Sequence, residues 1–130
     1  MSGVQPNQMR RRYPGRGRWR RRTDDGRVVA ALDLGTNNCR LLIARPARSG
    51  FKVIDGFSRI VRLGEGMVET TTLSDAAMDR AIDALQVCAA KVEKRRVGRA
   101  RYVATEACRV AVNCGEFLQR VKSETGLTLE

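Results

Sequence analysis

Two apolar runs split by a short polar turn constrain this chain more than any other feature. In "VVAALDLGTNNCRLLIARP", residues 28–46, each run has the length of a β-strand, and the second ends at Pro46. Asp33, Gly35, Thr36, Asn37 and Asn38 fill the tip between them. A carboxylate at the end of a buried strand is not there for packing, since burying it unpaired is costly. Gly35 lets the backbone turn sharply and approach another group closely. The amides of such a turn, with Thr and Asn side chains, hold phosphate oxygens. Asp33 is then free to hold a magnesium ion or its waters, and Arg40, two positions past Asn38, grips the same anion. An ordinary hairpin turn uses the same residue types, so residue chemistry alone leaves both readings open.

The pattern beyond the turn places it in an α/β layer. "FKVIDGFSRIVRLG" reads as a third strand, bent or bulged near Gly56, and "ARSG" as the turn before it; the three strands make an antiparallel meander. After a loop, "EGMVETTT", Ser74 is an N-cap for a helix whose apolar positions run Met78, Ala81, Ile82, Leu85, Cys88, Ala89, Val92. Gly98 is its expected C-cap. "ARYVAT" is a fourth strand and "EACRVAV" a short segment after it. Asn113 with Glu116 predicts a capping box for a second helix, ended by Gly126. "LTLE" begins a fifth strand. The order β-β-β-α-β-α-β stops as a strand begins, so a truncated chain is the expectation.

Charge is uneven along the 130 residues. Nine arginines against Asp24 and Asp25 give residues 1–27 a charge of +7 out of the chain's +11. That segment is rich in Arg and Gly and poor in aliphatics, so it is expected to be disordered, with residues 28–130 forming the domain. Tyr13 and Trp19 among the arginines suit contact with RNA or another polyanion. "MSGVQPNQMRRRYPGRGRWRRR" carries no apolar stretch after its charges, so a secretory leader is not expected. Cys39, Cys88, Cys108 and Cys114 form no C-x-x-C pair and the chain has no histidine, which argues against a zinc site. Free thiols in a reducing cytoplasm are the expectation.

"ALDLGTNNCRLLIA" resembles the first phosphate motif of the sugar kinase, heat-shock ATPase and actin superfamily. More narrowly, it resembles the exopolyphosphatase and guanosine pentaphosphate phosphatase (Ppx/GppA) family, in which a strand enters D-[LI]-G-[ST]-N-S and an arginine follows. Asp33, Gly35, Thr36, Asn37 and Arg40 match; Asn38 replaces the usual serine. "RIVRLGEGM" is similar to the family's R-L-G-E-G loop, at Arg62, Leu63, Gly64, Glu65 and Gly66. "RYVATEACRVAVNCGEFLQRV" is similar to A-T-S-A-x-R-x-A-x-N-x-x-E-F-L, with Thr105 and Arg109 in place; Glu106 stands where a small hydroxyl residue is usual and Val110 where an aspartate is common.

The resemblance implies an incomplete ribonuclease H-like domain. It also implies hydrolysis of a terminal phosphoanhydride, of inorganic polyphosphate or of guanosine pentaphosphate, with Mg2+. Gly35, Thr36, Asn37, Asn38, Arg40, Thr105 and Arg109 would bind phosphate, and Asp33 would bind the metal. In the family the catalytic base lies in an I-S-G-x-E-E-A segment and the second phosphate loop in D-[IV]-G-G-G-S. Neither occurs in this sequence, so the base stays unassigned; Glu65, Glu106 and Glu130 are expected to be structural or solvated. A homodimer is implied for full-length family proteins. The alternative is a non-catalytic protein that binds RNA or polyphosphate through its basic tail.

Overall fold

A computed structural model describes residues 27–130. The disordered tail expected over residues 1–27 falls, but for Arg27, outside them. β1 (Val29–Leu34), β2 (Asn38–Ala47) and β3 (Gly50–Ile60) form the expected antiparallel meander. β4 (Arg99–Ala104) pairs parallel to β1, giving the sheet order β3-β2-β1-β4. The helices are α1 (Met67–Thr70), α2 (Asp75–Lys94), α3 (Glu106–Val110) and α4 (Cys114–Thr125).

Alternation in β1 and β2 decides which face is covered. Ala30, Leu32 and Leu34 with Cys39, Leu41 and Ile43 are buried on one face, whereas Ala31, Asp33, Arg40 and Leu42 are exposed on the other. On the covered face α2 contributes Met78, Ala81, Ile82, Leu85 and Cys88, and α4 contributes Phe117 and Val121. Full burial of a Leu, Ile or Phe side chain contributes about 1.5–3 kcal/mol, so this single interface holds the layer together. Among the described residues no helix covers the other face of the sheet. That half-covered α/β layer is the incomplete ribonuclease H-like arrangement expected from the resemblance.

Several local expectations hold. Ser74 caps α2, its Oγ accepting from the Ala77 amide at 3.1 Å. Gly126 ends α4 at φ 79°, a left-handed conformation that suits glycine. The bulge in β3 lies at Ile54, opposite the Ile43/Ala44 step and two residues before Gly56.

Others are corrected. β3 stops at Ile60 instead of running to Gly64, because Val61 and Arg62 turn their amides toward the Asn37 carbonyl. The loop before α2 contains one helical turn, α1, none of whose residues is buried. Gly98 does not cap α2: Arg96 takes the left-handed position at φ 52°, and the Gly98 amide donates to Val28 O, which begins β4. Asn113 forms no capping box. Its side chain accepts from the Leu73 amide (2.9 Å) and donates to the Leu73 carbonyl (3.0 Å), tying the start of α4 to the start of α2. Residues 127–130 form no strand, since a ladder needs more than one bonded residue. Glu130 alone reaches β4, donating to Tyr102 O (2.8 Å) and accepting from the Ala104 amide (3.0 Å), the pattern of a parallel pair.

Candidate active site

The strand tip is closed by a hydrogen bond from the Gly35 amide to Asn38 O at 2.9 Å, which leaves Thr36 and Asn37 as the turn. Both turn carbonyls are occupied. Asn37 O accepts from Val61 (2.7 Å) and Arg62 (3.0 Å), and Thr36 O accepts from Gly64 (3.1 Å). Among the described residues nothing accepts from the Thr36 or Asn37 amide. A turn whose carbonyls are tied back and whose amides are free presents partial positive charge outward, the electrostatic requirement for an anion.

The R-L-G-E-G segment is thus the brace of the turn at residues 35–38. Arg62 adopts φ 49° to make the approach, and Arg80 of α2 secures the segment from behind. Its guanidinium donates to Val61 O (2.9 Å), to Arg62 O (3.2 Å) and to the Glu65 carboxylate (2.5 Å). Glu65 is therefore engaged in structure, as expected. The sequence reading missed Arg80, since no local pattern joins it to a loop 15 to 19 residues earlier.

The third matching stretch meets the same tip. Thr105 follows β4, and both its amide (2.9 Å) and its hydroxyl (3.2 Å) donate to Leu34 O, the last carbonyl of β1. Phosphate binding by Thr105 would have to displace that bond; as it stands, Thr105 is a clasp. The Cys108 and Arg109 amides bond back to Thr105 O (3.1 and 3.3 Å), so α3 hangs from the same point. Arg109 is exposed on its last turn. Glu106 is exposed at its first, and Glu130 lies 3.4 Å from Arg101.

Asp33 and Arg40 are register partners across β1 and β2, with Ser58 beside Arg40 on β3 and Val103 beside Asp33 on β4. Asp33, Arg40, Ser58, Arg101, Val103 and Thr105 line a concavity of about 1010 Å³ on the open sheet face. Asp33, Gly35 to Asn38 and Arg40 thus lie together on one hairpin. Thr105 is bonded to the end of β1 at Leu34 O, and Arg109 is exposed on the last turn of α3, outside the residues that line the concavity.

The donor set fits magnesium only in part. Mg2+ keeps several waters and is held by one or two carboxylates together with substrate phosphates. Asp33, exposed beside the turn at residues 35–38, meets that description. Among the described residues no group of three or more His, Cys, Asp or Glu converges, so a dedicated protein cage is not the arrangement.

A model of the Ppx/GppA phosphatase family matches residues 42–130. The chain belongs to that family. Solved structures agree. The Aquifex aeolicus Ppx/GppA family member is 36% identical at a TM-score of 0.76, covering 80% of this chain and 34% of that one. An exopolyphosphatase-like protein is 33% identical at a TM-score of 0.75, covering 81% and 32%. An exopolyphosphatase from Cytophaga hutchinsonii ATCC 33406 is 26% identical at a TM-score of 0.75, covering 79% and 33%. The chain spans about a third of the length of these relatives. For a Ppx/GppA member, the convergence of the three motif stretches on the end of β1 is a property of the fold: strand, brace and clasp come from residues 33–40, 61–65 and 105–109. No helix among the described residues is long and apolar enough to cross a membrane.

Proposed function

We propose that this chain carries the first phosphate-binding half of a phosphohydrolase that releases terminal phosphate from inorganic polyphosphate or guanosine pentaphosphate. The observation that supports it is the turn at residues 35–38, whose carbonyls are bonded to 61–64 while the Thr36 and Asn37 amides stay free. In this reading those amides and the Asn37 and Asn38 side chains cradle a phosphate. Arg40 and Arg109 offset its charge, for which a planar guanidinium suits phosphate better than an ammonium. Asp33 would hold a magnesium ion or its waters, and the ion would offset charge on the phosphoryl oxygens. Hydrolysis also needs an in-line water and a base to orient it. Glu65 is held by Arg80 and Glu130 lies beside Arg101, so neither is assigned that role. The base is supplied from elsewhere in the full protein, and a cytoplasmic location follows from the substrates.

The test is phosphate release by the native protein, isolated from its own cells, from long-chain polyphosphate and from guanosine pentaphosphate. Release that falls sharply in Asp33→Asn, with the fold retained, supports the reading. Absence of release from both substrates, with polyanion binding that survives loss of residues 28–130, would favour a binding protein that uses its arginine-rich segment.

A further inference from the structure

The four cysteines form no C-x-x-C motif, yet the fold collects them in two pairs. Cys39 and Cys88 are both fully buried, their sulfurs 3.9 Å apart between β2 and α2. Cys108 on α3 and Cys114 at the start of α4 are closer: their sulfurs stand 2.8 Å apart, both as free thiols. Cys108 is buried and Cys114 half-buried, so Cys114 is the more accessible residue of the pair. A disulfide bond is about 2.05 Å long, so closing this one takes a movement of under about 1 Å.

We propose that Cys108 and Cys114 are a modification site, closing to a reversible disulfide when the protein meets a peroxide. The Cys114 thiolate attacks hydrogen peroxide and takes one oxygen as a sulfenic acid, expelling hydroxide, which the proton lost from Cys114 neutralises. The Cys108 sulfur then attacks the sulfenic sulfur. The S–S bond forms, the S–O bond breaks, and the Cys108 proton leaves with the hydroxyl as a second water. Two thiols and one peroxide give one disulfide and two waters. Burial, helped by the hydrogen bond to Cys114, pushes the Cys108 thiol up to about 12. It therefore does not compete for peroxide as a thiolate; held 2.8 Å from Cys114, it reacts second, giving up its proton to the departing hydroxyl as the S–S bond forms.

The position of the pair gives the modification a consequence. Cys108 sits three residues past the Thr105 clasp and next to Arg109. Cys114 follows Asn113, which is bonded to Leu73. A covalent link would tie the helix carrying Arg109 to the Asn113 anchor, shortening the excursions of α3 relative to the phosphate turn.

Trypsin provides a direct test, because it cuts after Arg109, between the two cysteines. The folded chain is treated with hydrogen peroxide, free thiols are capped with N-ethylmaleimide, and the digest is read by mass spectrometry. The expected product joins YVATEACR (102–109) to VAVNCGEFLQR (110–120) with two hydrogens lost. It is released by dithiothreitol and absent in Cys114→Ser. It forms faster in the folded chain than in the same chain in guanidinium chloride. Recovery of both cysteines as maleimide adducts would overturn the proposal. So would Cys114 found only as sulfinic acid, a Cys39–Cys88 link in its place, or equal rates folded and unfolded.

Discussion

Gly64 lies so close to Thr36 that a Cβ placed on it would stand 2.6 Å from the Thr36 Cγ2 methyl. The brace and the turn at residues 35–38 are therefore in direct packing contact, besides sharing the bond from the Gly64 amide to Thr36 O. A β-branched side chain has little freedom to move away. Gly64→Ala is expected to destabilise the protein by about 1–3 kcal/mol, the range for overpacking a tight site. Thr36→Ser removes the offending methyl, so the double variant should recover most of the loss. Urea midpoints for the four members of that cycle would show the coupling.

Asn113 serves Leu73 where a helix cap was expected. Asn113→Ala leaves the Leu73 amide and carbonyl without their side-chain partner in a half-buried seam. The expected loss is about 1–3 kcal/mol, the cost of leaving buried polar groups unpaired. Asn113→Asp keeps the acceptor and loses the donor, so it should fall between. Amide hydrogen exchange at Leu73 reads the effect locally.

Asp55 supplies a pH dependence. Its carboxyl is held down to about 2, first by the Gly56 amide and then by Lys91 and Arg95, each 3.2 Å away. A carboxyl depressed in the folded state contributes stability in full above its unfolded value near 4, and loses it as pH falls toward 2. Asp55→Asn should therefore be less stable than the parent at pH 6, and the gap should close between pH 4 and pH 2. Thermal midpoints measured across that range check the sign.

Arg40 tests the phosphate reading from the open sheet face. A charge-assisted hydrogen bond contributes about 1.5–3 kcal/mol, so Arg40→Ala should weaken tripolyphosphate binding by roughly 10- to 100-fold. Arg40→Lys should recover only part of that, because one point charge replaces a planar fork. Calorimetric titration at fixed ionic strength gives both numbers. The side chain is exposed, so the melting temperature should stay near that of the parent.

The meander and the long helix were legible because each rests on local periodicity. Leu32, Leu34, Leu41 and Ile43 alternate, Met78 to Cys88 recur at helical spacing, and Ser74 is a local cap. What escaped was set by contacts distant in sequence. Asn113 and Glu116 look like a capping box until Leu73, 40 residues earlier, takes the Asn113 side chain. Gly98 looks like a C-cap until Val28 O takes its amide for the β4 pairing, leaving Arg96 to turn the chain. Arg80 reads as one more charge on a helix surface, yet it holds the brace. The Cys39–Cys88 pair was invisible for the same reason, since it is joined only by the packing of α2 on the sheet.

The central claim is that the 33–40 hairpin, braced by 61–64 and clasped by Thr105, is a phosphate site. The most direct test is to titrate the isotopically labelled chain with tripolyphosphate and magnesium and follow each backbone amide by NMR. The account predicts the largest shifts at Thr36 and Asn37, with smaller ones from Asp33 to Arg40 and from Thr105 to Arg109. Shifts confined to residues 1–26, with Gly35 to Asn38 unmoved, would contradict it.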